Sequence, residues 1–508
     1  MDNTLNQLKA RLAEIADLFK ASEVLGWDMQ TYMPPGGGEA RSEQIATLQK
    51  LGHEKFTQAE IGQWLEELKP TLERLDPDSD DAGILRVAAR DYDRARKVPT
   101  ELVAEIARTT SMAHEVWAKA RAEKNFQAFL PMLEKIIELK RRVSACFGEQ
   151  DSPYDPLLDD YEPGMKAAQV RAVFDELKRD LVPLVKAIAA KPEVDDSVLH
   201  KDYDEQKQWD FGEAVIKRFG YDFSRGRQDK SVHPFTTSFS SSDVRITTRL
   251  MRNFIPSALM GTLHECGHAL YEQGVAPELS RTPLADGTSL GVHESQSRMW
   301  ENLVGRSRGF WKYFYPQLQA VFPENLGKVD LDVFYKALNK VKPSLIRVEA
   351  DEVTYNLHTL LRFELEVDLM EGRLKAKDLP AAWNAKVKEY LGLDVPDDSQ
   401  GVLQDVHWSA GYIGYFPTYT LGNILSVQFF EKAVQAVPSI PADIEHGEFG
   451  GLLGWLRENI HRHGRKYTPN ELIQRVTGSP LNAKPYLAYL KKKYQALYGI
   501  GDEELRHN

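Results

Sequence analysis

Apolar side chains recur three and four residues apart along most of this 508-residue chain, a spacing that a mainly helical fold satisfies and a sheet does not. Between Lys166 and Lys191, Val170, Val173, Phe174, Leu177, Leu181 and Leu184 fall on one helical face. Leu5, Leu8, Leu12, Ile15 and Leu18 do the same near the start, so that stretch reads as an amphipathic helix without the continuous apolar centre of an export signal. Further helices are expected through Asp93–Val98, after Pro99, and from just beyond Pro343 to Gly372, a proline start and a glycine stop. Tyr32 to Arg41, YMPPGGGEAR, reads as a loop too short for a domain linker. One stretch breaks the pattern. Lys230 to Met251 is rich in Thr, Ser, Val and Phe, with Val244, Ile246 and Thr248 on alternate positions, and predicts a short hairpin or small sheet.

No internal repeat and no clear linker interrupts the chain. Residues 1–508 are therefore expected to form one continuous helical unit, with two lobes flanking a groove as the variant of that reading. Lys and Arg number 64 against 75 Asp and Glu, a formal charge of -11, which argues against nucleic acid or an anionic membrane as the main partner. Two cysteines, Cys146 and Cys266, cannot make a disulfide framework and fit a reducing, cytoplasmic setting. No apolar run approaches the roughly 20 residues that span a bilayer.

Immediately after the sheet-like stretch comes LMGTLHECGHALYEQG, Leu259 to Gly274. On a helix His264 and His268 lie one turn apart on the same face and can offer two imidazole nitrogens to one ion. Glu265 lies about 100° round from His264, aimed at a water on that ion. Pro256 suits the first turn, Gly274 can close the helix in the left-handed conformation, and Gly267 lets another element approach closely. A hydrolytic metal site needs a third protein ligand. Six residues after His268 the chain has Gly274, so a third histidine at that spacing is excluded. Glu294, 26 residues after His268 in GVHESQSRMWENLVG, is the candidate, with His293 as its rival. Glu301, seven residues on, is a further ligand or a partner that orients one.

HECGH followed by HESQ (His293 to Gln296) resembles the M32 metallocarboxypeptidases, the carboxypeptidase Taq family. HPF (His233 to Phe235), DVRIT (Asp243 to Thr247), IRVEAD (Ile346 to Asp351) and GVLQDVHW (Gly401 to Trp408) stand in the family order, and LGWDMQTYMPPGGGEAR near the start is similar too. The resemblance implies a mostly helical zinc-peptidase fold with a deep groove and a homodimer. It also implies one divalent ion per chain, usually zinc with cobalt as a substitute. The implied activity is sequential release of single C-terminal residues, with broad side-chain tolerance and proline disfavoured. The near alternative is an oligoendopeptidase or dipeptidyl carboxypeptidase on a related fold, and the distant one a helical interaction scaffold.

Chemistry then suggests roles. His264, His268 and Glu294 hold the metal, and Glu265 is the general base. An exopeptidase must grip the free carboxylate of its peptide substrate, for which Arg is the bidentate partner. Arg347 is the first choice and Arg245 the second, unless each pairs with a nearby acid such as Asp351 or Asp243. QDVHWSAGYIGYFPTYTLGN, Gln404 to Asn423, is dense in His and Tyr and supplies His407 and Tyr419, then Tyr412, as donors to an oxyanion. Asp405 or Asp351 is a candidate for orienting a metal-binding imidazole. Cys266 is expected to be an inert packing residue.

Overall fold

In the computed structural model, which describes residues 2–506, helix dominates and the described residues contain one three-stranded sheet. Two compact units share the chain. The first comprises Met1–Arg96, Asp196–Leu338 and Phe429–Gly478; the second comprises Lys97–Asp195, Asn339–Gln428 and Ser479–Asn508. Each is assembled from three separated stretches, so neither leaves a single linker to be seen in the sequence.

In the first unit, helix α1 (Asp2–Thr31) buries Leu8, Leu12 and Ile15 against Ile61, Leu68, Ile84, Leu85 and Ala88. Leu5 is partly buried against the same cluster, so Leu5, Leu8, Leu12 and Ile15 face the core, while Leu18 is half-buried outside that cluster. Each such side chain withdrawn from water is worth about 1.5–3 kcal/mol. The stretch read as a loop after it is mostly helical: Pro35–Gly37 forms a 3-10 turn and a new helix begins at Gly38.

The sheet comprises β1 (Gly226–Lys230), β2 (Thr236–Ser240) and β3 (Asp243–Thr248), in the order β1-β3-β2. β2 runs antiparallel to β3 and β1 runs parallel to it. The fully buried Val244 and Ile246 mark the inner face, as the alternation predicted. β1, Gly-Arg-Gln-Asp-Lys, has none of the β-branched or aromatic residues that signal a strand, and pairing alone makes it one.

Packed on β3 lies α2 (Ile255–Gly274), with Pro256 in its first turn. Thr248 Oγ1 donates to the Ala258 carbonyl at 3.2 Å and accepts from Thr262 Oγ1 at 3.0 Å, which fixes the helix on the sheet. Gly274 does not close α2 in the left-handed region. It is the last helical residue, followed by extended Val275, and a Cβ there would lie 2.6 Å from His461 Cβ. Its need for glycine is therefore steric.

α3 (Leu290–Arg298) starts where Ser289 Oγ accepts from the Val292 amide, an N-cap, and runs on into a π-helix, Met299–Val304. In the second unit α4 (Thr354–Met370) begins ten residues later than Pro343 suggested. Asp351 caps it, accepting from the amides of Val353 and Thr354 and from Thr354 Oγ1, and the residues before it make only the 3-10 turn Arg347–Glu349. Its stop at Gly372, φ +76°, is as expected. α5 (Pro417–Ala436) begins within the His- and Tyr-rich segment and carries Tyr419. In the same unit the helix Ala167–Ala189 buries Val170, Phe174, Leu177, Leu181 and Leu184, with Val173 half-buried at its edge.

Candidate active site

α2 is buried on nearly all sides, so its polar side chains stand out against an apolar helix. His264 and His268 both direct Nε2 toward Glu294 Oε2, at 3.6 and 3.5 Å. The three ligand atoms lie within 4.8 Å of one another. Ligands about 2.1 Å from a tetrahedral ion stand about 3.4 Å apart, so this set of two imidazoles and one carboxylate fits a divalent cation. Gly267 makes the convergence possible. A Cβ there would lie 2.6 Å from both the Gln296 carbonyl oxygen and Ser297 Cα, so α3 touches α2 backbone to backbone and brings Glu294 to the histidines.

The other nitrogen of each imidazole is also held. His264 Nδ1–H donates to Glu301 Oε2 at 2.8 Å. His268 Nδ1 lies 2.6 Å from His293 Nδ1, and His293 Nε2 lies 2.6 Å from Glu272 Oε1. A carboxylate only accepts, so with a neutral ring His293 donates from Nε2 and its Nδ1 accepts from His268. In its neutral form each of the two histidines therefore carries its lone pair on Nε2, toward Glu294. His293 thus bridges His268 and Glu272, and the group that could hold an ion comprises His264, His268 and Glu294. Asp405 and Asp351, weighed for that orienting role, are engaged in the second unit instead: Asp351 caps α4, and Asp405 pairs with arginines.

Glu294 is buried and Glu301 half-buried, and both carboxylates are kept ionised. Burial alone would raise Glu294, but Arg298, whose Nε donates to Oε1 at 2.7 Å, and His264 hold it well below the usual range. Glu301 also resists the upward push of burial and falls to about 2, under Arg298, His264 and Arg306. His264 shows the opposite balance: burial disfavours its charge, yet Glu294 and Glu301 carry it up to about 9. Burial brings His268 down to about 3. The pocket is built to hold positive charge.

Glu265 is 7% exposed, and burial raises its proton affinity. Thr236 Oγ1, at the start of β2, lies 2.7 Å from Glu265 Oε2 and 3.0 Å from the Glu265 carbonyl oxygen. The small sheet thus orients this side chain directly. Cys266 is fully buried and its thiol is pushed up by burial, which suits a packing residue.

A second cluster, wholly within the second unit, gathers several of the other candidates. His407 Nε2 lies 3.2 Å from Tyr419 Oη, and the Arg347 guanidinium is 5.1 Å from the Tyr419 ring centre. Arg347 donates from Nε to Asp405 Oδ1 at 3.0 Å and from Nη1 to Tyr355 Oη at 2.9 Å. Arg362 shares Asp405, with Nη2 2.6 Å from Oδ2, so the two arginines hold that carboxylate well below its ordinary range against the effect of burial. The acid beside Arg347 is Asp405 and not Asp351. Tyr412 is about half exposed; its backbone amide donates to the His407 carbonyl at 2.9 Å, and its ring meets the His407 ring edge to face with centres 6.5 Å apart. Arg245 belongs to the first unit, paired bidentate with Asp243 at 2.8 Å on both arms and lying 4.4 Å over the Trp27 ring.

Thr236, Glu272 and Arg298 were not singled out in the sequence. Two had a signal: Glu272 follows His268 by four positions and Arg298 follows Glu294 by four, the spacing of helix neighbours. Thr236 had none, because only folding sets β2 on α2.

A mainly helical chain that offers two imidazoles and a carboxylate to one ion, with a buried glutamate beside them, has the site of a metal-dependent hydrolase. The description of the carboxypeptidase Taq (M32) metallopeptidase family matches residues 7–494. The chain is 45% identical over 496 residues to thermostable carboxypeptidase 1 of Thermus thermophilus, covering 96% of this chain and 97% of that one. It is 40% identical to thermostable carboxypeptidase 1 of Pyrococcus furiosus, covering 97% and 99%. The crystal structure of the M32 carboxypeptidase from Deinococcus radiodurans superposes with a TM-score of 0.95 at 44% identity, covering 98% of this chain and all of that one. The chain belongs to the M32 family of metallocarboxypeptidases, hydrolases of peptide bonds.

Proposed function

We propose that this chain is a zinc carboxypeptidase that releases single residues in succession from the free C-terminus of peptides, with broad side-chain tolerance. The observation that carries the reading is the convergence of His264 Nε2, His268 Nε2 and Glu294 Oε2 beside a buried Glu265. A dication held by those three atoms would supply an electrophile for the scissile carbonyl and lower the pKa of a water toward 7. Glu265 accepts a proton from the attacking water and returns it to the leaving amine; its raised proton affinity suits that exchange and Thr236 fixes its orientation. Cobalt is the expected substitute for zinc, since both accept imidazole and carboxylate ligands.

His407 and Tyr419 donate to the oxyanion of the tetrahedral intermediate. Arg347 takes the terminal carboxylate in preference to Arg245. It shares one cluster with His407 and Tyr419, whereas Arg245 pairs with Asp243 apart from them. Tyr412, half exposed beside them, is a further substrate contact. A cytoplasmic setting, which two free cysteines suit, and a homodimer, which rests on the family resemblance, complete the reading.

The test pairs elemental analysis of the purified protein with incubation on blocked dipeptides ending in Ala-Arg or Ala-Phe. Release of the terminal residue, lost when the C-terminus is amidated, is expected; cleavage of the amidated peptide would overturn the exopeptidase reading. Glu265→Gln is expected to keep the metal and lose about a hundredfold or more in turnover.

A further inference from the structure

The segment Gln404–Asn423 bears His407, Tyr412 and Tyr419, yet helix begins only at Pro417, and most of what precedes it is irregular chain. Irregular backbone that positions a reacting group needs anchors. Two of them end on the same side chain. Trp408 Nε1, the residue after His407, donates to Glu366 Oε1 at 2.8 Å, and the Gly414 amide donates to Glu366 Oε2 at 3.1 Å. Tyr154 Oη, from another part of the second unit, lies 2.7 Å from Oε2. Glu366 projects from α4, is 1% exposed, and takes no part in the mechanism described above.

The donor set says what this carboxyl is for. Indole N–H and backbone N–H can only donate, so a side chain receiving both needs an acceptor on each oxygen, which a carboxylate provides and an amide does not. The anchorage is tight. Gly414 has φ +98°, and a Cβ there would lie 2.7 Å from the Leu157 carbonyl oxygen, so the loop meets the Tyr154 segment backbone to backbone. Trp408 meets Trp383 edge to face, with ring centres 5.9 Å apart. Between the two anchors the Tyr412 amide donates to the His407 carbonyl, closing the loop on itself. His407 itself has a buried Nδ1 without a hydrogen-bond partner, so its ring is placed by the backbone of the loop, by Tyr419 and by packing on Phe416, with ring centres 4.4 Å apart.

We infer that Glu366 is a positioning residue for catalysis: by clasping Trp408 and the Gly414 amide it holds the loop in the one arrangement that sets His407 against Tyr419. The inference rests on the proposed oxyanion role of His407, and it makes Glu366 act through that residue. Burial raises the proton affinity of Glu366 to about 7, and its three donors pull in the other direction, toward the ionised form.

A double-mutant cycle with the metal-loaded enzyme on a blocked dipeptide ending in Ala-Phe decides the matter. Glu366→Gln is expected to lower kcat about tenfold or more, with KM and bound metal unchanged, because misplacing one catalytic group costs rate and not ground-state binding. His407→Ala is expected to lower kcat as well, and the double variant to be no slower than His407→Ala alone. Multiplicative losses in the double variant would overturn the positioning role. An unimpaired His407→Ala would instead overturn the oxyanion assignment, so the two failures are distinguishable. Should Glu366→Gln not fold, Trp408→Phe removes one donor while keeping the ring. It is expected to lower kcat and to lose that effect in the His407→Ala background, and an effect that persists there overturns the inference.

Discussion

Replacing Gly267 by alanine adds one methyl group to the surface of α2 at the point where α3 crosses it. That methyl would stand 2.6 Å from the Gln296 carbonyl oxygen, 2.6 Å from Ser297 Cα and 2.9 Å from Ser297 N. All three are backbone atoms, so no rotamer change relieves the contact. Carbon atoms at rest sit about 3.5 Å apart, so α3 has to retreat by about 0.9 Å. Glu294 lies on α3 one turn before Ser297 and moves with it. Metal sites tolerate departures of about 0.2 Å in ligand distance, several times less than the forced shift. Overpacking of this kind typically costs about 1–3 kcal/mol of stability, which an enzyme of this size survives. The expected result is therefore a folded protein with a melting temperature a few degrees lower, whose affinity for zinc falls by about a hundredfold or more. Competition against a chromophoric chelator measures the affinity, and circular dichroism reports the fold. Wild-type zinc affinity in a folded Gly267→Ala protein would refute the claim that this glycine sets the position of Glu294.

Glu301→Ala removes the acceptor that orients His264 and is expected to weaken zinc binding about 10- to 100-fold, read by the same competition. Thr236→Val removes the hydroxyl beside Glu265 and is expected to cost about tenfold in kcat with metal content unchanged; turnover equal to the wild type would separate the sheet from the chemistry. Treatment with a strong chelator is expected to abolish activity, and either zinc or cobalt should restore it.

The legible part of the site was the part a single helix dictates. His264, Glu265 and His268 are related by turns of one element, so their spacing in the chain is their spacing in space. Glu294 follows from spacing to a second helix, and what seats it is Gly267, whose missing side chain already marks it in the sequence as a point of close approach. Glu301 belongs to a π-helix, where the wider turn breaks the ordinary register, so its reach to His264 Nδ1 could not be computed from α-helical geometry. The same limit applied to the fold. Amphipathic helices and the alternating strand β3 were evident, whereas β1 exists because it pairs with β3, and the late start of α4 follows from one capping aspartate. Asp405 illustrates the remaining gap: a carboxylate two residues before His407 invites a role beside an imidazole, yet two arginines from distant positions claim it.

The charges at the metal site make one further consequence unavoidable. Without an ion, Glu294 and Glu301 are ionised, and His264 is protonated because the pull of those carboxylates exceeds the cost of burying its charge. His268 is neutral, its affinity for a proton reduced to about 3. A cation and that proton compete for the same lone pair on His264 Nε2. The sign follows from the pKa of about 9: below it the proton must leave before the ion enters, above it there is none to displace. Zinc affinity is therefore expected to rise about tenfold per pH unit between pH 6 and 8 and to level off near pH 9. Calorimetric titration of zinc into the metal-free enzyme at pH 7, in buffers of different ionisation enthalpy, should register close to one proton released per ion bound. Release of none would mean that His264 is already neutral, and the electrostatic balance drawn for Glu294 and Glu301 would be wrong. In Glu301→Ala, where one of the two carboxylates is gone, the plateau should move to lower pH, since His264 then holds its proton less firmly.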